Sequence, residues 1–70
     1  MEDKIKLKLM EAKRHFLAYR ENIEDAEQMI ITGIKTKNKS YVHTGIGILN
    51  KFTSNVNVRD VIKLSQEEID

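Results

Sequence analysis

The chain has 70 residues, 40% of them hydrophobic, 33% charged and 6% aromatic, with no Cys, Pro or Trp and a formal net charge of +1. That composition suits one small globular domain over residues 1–70 and is too apolar for obligate disorder. The lack of cysteine excludes a disulfide framework, a thiolate nucleophile and a Cys-based zinc site.

No apolar run approaches the ~20 residues that a bilayer demands, so no membrane partner is expected. The opening Met1-Glu2-Asp3-Lys4 leads into no apolar h-region, which argues against a secretory signal and for a cytoplasmic, reduced setting. A chain this short buries only ~60% of its unfolded surface, which favours self-association.

Ile5, Leu9, Ala12, Phe16, Tyr19, Ile23, Ala26 and Ile30 follow one another at spacings of 4-3-4-3-4-3-4. This is an a/d heptad seam, and it predicts a long N-terminal helix over about 3–32. Gly33 is placed to stop it in the left-handed C′ position, with Ile34 supplying the apolar contact that follows. A second reading bends the segment into two helices near Glu21-Asn22, where Asn22 resembles an N-cap with an acidic first turn. An unbroken helix of this length, ~45 Å at 1.5 Å per residue, would overhang a 70-residue globule and would favour a homo-oligomer.

From Ile30 to Leu49 the residue types change. Val42, Thr44, Ile46 and Ile48 alternate with Tyr41, His43, Gly45 and Gly47, and Asn38 suits a turn with a left-handed residue. These features predict a β-hairpin over about 30–49 that turns at Lys37–Lys39. The competing reading is helical, because Val42, Ile46 and Leu49 also share one helical face. The last stretch predicts a short helix capped by Asn57, or a third strand from Val56. The expected fold class is therefore α+β, and an all-α small bundle is the alternative.

Charge is segregated in blocks. Residues 1–20 and 31–59 are net basic, and residues 21–30 and 60–70 are net acidic. Such blocks can be complementary surfaces within one fold or between copies.

The residues give little support to catalysis. His15 and His43 are the only histidines, neither stands near a carboxylate in a triad-like pattern, and no metal-ligand spacing is present. No enzyme activity, cofactor or metal is expected. Lys35, Lys37 and Lys39 alternate, and on a strand they would line one face with Tyr41 and His43, a small basic ribbon for nucleic acid.

The stronger expectation is a protein-interaction module, a regulator, adaptor or inhibitor that binds or occludes a protein partner. The seam residues Ile5, Leu9, Phe16, Tyr19, Ile23 and Ile30 would be its contact surface. The Lys-, Ile- and Asn-rich composition fits an AT-rich coding sequence of the kind that phages and mobile elements carry.

Overall fold

The apolar repeat across residues 5–30 belongs to two helices. In the computed structural model, which describes residues 2–70, helix α1 runs over Glu2–His15 and α2 over Arg20–Thr36. Between them Phe16 leaves helical geometry, with φ −111° and ψ 64°, and Leu17–Tyr19 form one 3-10 turn. Neither Gly nor Pro causes this break. The Phe16 ring instead packs 5.0 Å from the Phe52 ring and edge-on to His15 at 4.7 Å, contacts that a straight helix would forgo.

The turn reverses the chain. Lys35 Nζ lies 3.3 Å from Glu2, and Lys13 reaches Glu24 and Glu27, so α1 and α2 run antiparallel. Residues 16–19 fill one step of the 3–4 repeat, and the heptad phase therefore passes through the corner unchanged. This corrects the long-helix expectation and places the bend a few residues before Glu21-Asn22. The molecule measures 30 × 18 × 17 Å, so the overhang that argued for an oligomer is gone.

The hairpin expectation is overturned as well. Among the described residues there is no strand, and Lys39–Leu49 form a third helix, α3. At the end of α2, the left-handed residue is Lys37, with φ 57° and ψ 36°, in place of Gly33 or Asn38. Lys37 N–H donates to the Ile34 carbonyl at 3.3 Å and Asn38 N–H to the Gly33 carbonyl at 2.8 Å. These two bonds are the Schellman pair that closes a helix. Asn38 then turns from terminator to initiator, as its side-chain oxygen accepts the Tyr41 N–H at 3.1 Å and caps α3.

The β-branched residues of α3 are held helical by what lies beneath them. Gly45 sits against Ala26 and Ile30, and Gly33 sits against Val42, so α2 and α3 approach almost backbone to backbone. Those contacts run in opposite senses along the two helices, which makes them an antiparallel hairpin of helices.

A 3-10 turn over Asn50–Phe52 leads to α4, Val56–Ile69. Its cap is Asn55, whose side chain accepts the N–H groups of Asn57 and Val58, so Asn57 lies inside the helix. The helix continues past Leu64 through a buried Ser65, whose hydroxyl donates to the Val61 carbonyl at 2.6 Å. Backbone bonding within the segment replaces the third-strand reading.

The result is the all-α alternative, an up-down-up-down bundle. Its core is built from Ile5 and Leu9 of α1, Ile23 and Ile30 of α2, Val42 and Leu49 of α3, and Val58 and Val61 of α4. No described helix is long and apolar enough to cross a membrane.

Candidate functional site

The two sets of residues singled out from the sequence have different fates. Ile5, Leu9, Ile23 and Ile30 are fully buried inside one chain, where they form the seam between α1 and α2 and the rest of the core. They are covered by their own fold, and their apolar surface is already used. Phe16 is half-buried at the corner, and Tyr19 is 52% exposed.

The basic set is dispersed by the helical geometry. Lys35 sits in the last turn of α2 and pairs with Glu2 at 3.3 Å. Lys37 occupies the left-handed corner, and with Lys39 it borders a groove of about 230 Å³ completed by Ile34, Glu68 and Ile69. Tyr41 and His43 are exposed on α3, but residues two apart on a helix point ~200° apart around its axis. The single basic face expected of a strand is therefore absent, and Glu68 interrupts what remains.

A different surface brings together two of the exposed large apolar residues, Leu17 and Tyr19. The connections 16–19 and 50–55 meet at one end of the bundle, where Phe52 serves as the shared floor. The Phe16 and Tyr19 rings lie 5.0 and 5.4 Å from it, tilted at 53° and 51°. These spacings are within the range of attractive aromatic pairs. With Asn22 and Lys51 the three aromatics enclose a hollow of about 290 Å³. Leu17, in the same 3-10 turn, is 70% exposed, the most exposed large hydrophobic among the described residues.

The sequence reading missed Leu17, Asn22, Lys51 and Phe52. One signal was available: Leu17 stands out of phase with the seam, so a single helix would already have left it in solvent.

The ion pairs show how this end is held. Lys13 near the end of α1 donates to Glu24 and also lies 3.0 Å from Glu27 Oε1, both on α2. Glu27 is only 6% exposed, and that oxygen lacks the alignment of a hydrogen bond, so its attraction to Lys13 is chiefly charge on charge. Burial works against the Lys13 charge, but the hydrogen bond to Glu24 and the charges of Glu24 and Glu27 outweigh it, and the lysine pKa is raised. The Lys13 hydrogen bond in turn holds Glu24 below the ordinary carboxylate range.

The sign of the pH dependence follows. A depressed carboxylate contributes stability that is present above its ordinary pKa and is lost as pH falls through the depressed value. A raised lysine contributes stability that is lost only as pH rises through its own raised value. The urea midpoint should therefore be flat from roughly pH 5 to roughly pH 10 and fall on both sides. Part of the acid-side fall should vanish in Glu24→Gln. An acid limb unchanged by Glu24→Gln would show that this pair does not couple folding to protons.

Two further grooves are less apolar or smaller. One of about 320 Å³ lies between α1 and α4 and is lined by charges of both signs, with Lys8 bonded to Asp60 at 3.0 Å. The other, about 190 Å³, lies beside Ile5, Ile31 and Ile34. Among the described residues, no group of three or more His, Cys, Asp or Glu could hold a metal ion. Comparison of the chain with protein-family models, with characterised proteins and with solved structures finds no match.

Proposed function

We propose that this protein is a non-enzymatic interaction module that docks a protein partner on the aromatic end of its bundle. The observation that carries the reading is the exposure of Leu17 and Tyr19 around the Phe16–Phe52 hollow, on two connections that pack against each other. Water-accessible apolar side chains on a rigid frame bind with little ordering cost, and aromatic anchors near the centre of a contact dominate its energy. The frame is pinned from below by Lys13 and from the side by the Asn55 cap, so the site is preorganised.

The heptad seam no longer supports a homo-oligomer, because six of its eight residues are buried inside one chain. Regulation, inhibition or bridging by occlusion all fit a small binder with one such surface.

The test is site-directed photocrosslinking in the cells that express the protein. Benzoylphenylalanine in place of Leu17 should yield a discrete protein adduct, and the same group in place of Ser40, at the opposite end, should not. Adding Tyr19→Ser should reduce the adduct by about tenfold or more, as for a hot-spot residue. Equal labelling from both positions, or no adduct from either, would sink the proposal.

A further inference from the structure

The charges around the aromatic hollow point to the chemistry of what fills it. Residues 14–20 and 49–55 carry Arg14, His15, Arg20 and Lys51 and not one carboxylate. Arg14 is neutralised by Glu11 at 3.3 Å. Arg20 and Lys51 have no ion-pair partner among the described residues, and Lys51 lines the hollow itself. Arg59 adds a further cation to this end, its guanidinium donating to the Thr53 carbonyl at 2.6 Å. The first turns of α2 carry Glu21, Glu24 and Asp25, of which Glu24 is committed to Lys13 and the other two have no ion pair among the described residues.

We infer that the partner presents an acidic peptide segment with one large apolar side chain that enters the hollow while flanking carboxylates meet Arg20 and Lys51. This inference rests on the interaction-module reading and narrows it. At about 290 Å³ the hollow is at the small end for a ligand pocket and has room for one anchor side chain. Its floor is apolar and its lining includes one cation, Lys51, and the polar Asn22, an arrangement in which a buried anchor supplies affinity and complementary charge at the edge supplies specificity and encounter rate.

Single-stranded nucleic acid is the other polyanion to weigh. It needs several open ring faces for stacking, yet Phe52 is 5% exposed and Phe16 is half-buried, which leaves Tyr19 and His15 as the exposed rings at this end. Three cations without an ion pair, Arg20, Lys51 and Arg59, also release only about three counterions, too few to hold a strand without stacking. The peptide fits better.

The experiment is a titration of the full-length 15N-labelled protein, followed by amide NMR. The probe is an eight-residue peptide of Asp and Glu with Trp-Leu at its centre. Comparison probes are the same peptide with Ala-Ala at the centre, the same peptide with Lys in place of its acids, and a ten-nucleotide thymidine strand. The acidic Trp-Leu peptide should shift the amides of Leu17–Asn22 and Lys51–Phe52. Its affinity should exceed that of either altered peptide by tenfold or more. Arg20→Glu combined with Lys51→Glu should lower its affinity at least tenfold, while Lys37→Glu at the far end should leave it unchanged. Arg20→Gln with Lys51→Gln serves the same purpose should the charge reversal disturb folding.

Equal binding of the lysine peptide, tighter binding of the thymidine strand, or no shift at these amides would overturn the inference. A discrete protein adduct from position 17 together with failure of the acidic peptide would overturn only the charge class of the partner. Failure of both would remove the interaction module as well.

Discussion

Lys13→Met is expected to destabilise the fold by about 3 kcal/mol, the cost of leaving a buried charge without its partner. Glu27 is nearly enclosed, and its Oε1 has the Lys13 ammonium 3.0 Å away and no other partner. Removing the ammonium also leaves Glu24 and Glu27, three apart on one helix, as adjacent like charges. For a domain of this size, with total stability of roughly 4–10 kcal/mol, that is a large fraction. Urea denaturation followed by circular dichroism should register it as a lower midpoint with an unchanged slope.

The double variant Lys13→Met, Glu27→Leu should recover most of the loss, since replacing both members of a buried pair with apolar groups is often neutral. A loss below about 1 kcal/mol in the single variant would place Glu27 in contact with water. Failure of the double variant to recover would make the lysine's packing, and not its charge, the important part.

Gly45→Ala is expected to cost about 2 kcal/mol even though alanine is the better helix former. A Cβ at Gly45 would stand 2.7 Å from Ile30 Cγ1 and 2.9 Å from the Ala26 carbonyl oxygen. The first atom is a side chain that can turn aside, but the second is backbone and moves only if α2 and α3 separate. Gly33 is the reciprocal contact, where a Cβ would meet Val42 Cγ2 at 2.5 Å and Val42 N at 2.9 Å.

Gly47, two residues along, has nothing within 4 Å of a Cβ, so Gly47→Ala should stabilise by up to ~1 kcal/mol. Thermal unfolding separates the two cleanly, because ~1 kcal/mol moves Tm by about 4–8 °C in a domain this small. Gly45→Ala should lower Tm by about 8–16 °C and Gly47→Ala should raise it by several. Two increases would mean that the helices do not touch at Gly45. Two decreases would mean that Gly47 is not open to solvent.

These glycines show why the middle of the chain is hard to read. Along the sequence, Gly45 and Gly47 share one face of a supposed strand and are equivalent. In the fold one is a point of close approach between two helices and the other faces water. Val42, Thr44, Ile46 and Ile48 favour a strand by a few tenths of a kcal/mol each. Burying Val42, Ile46 and Leu49 against α2, with Asn38 capping the first turn, outweighs that preference. The charge blocks were more informative, since basic 1–20 and acidic 21–30 meet directly through Lys13, Glu24 and Glu27 inside one chain. The aromatic hollow was half legible: Phe16 and Tyr19 stood out as seam residues, but Phe52 reaches them only after the chain has reversed twice, at 16–19 and at 37–38.

Helix periodicity is a local property set by 3.6 residues per turn, so the apolar spacing over residues 5–30 marks the buried face of both α1 and α2 without any knowledge of the fold. Six of its eight seam residues, Ile5, Leu9, Ala12, Ile23, Ala26 and Ile30, are fully buried. Packing between distant segments sets the fold-back of the seam at Phe16, the helix over 39–49 and the convergence of Phe16, Tyr19 and Phe52. A periodic pattern records the face a residue presents, not the direction of the chain that carries it. A corner of four residues preserves that pattern, and only packing between distant segments determines on which side of it the chain returns.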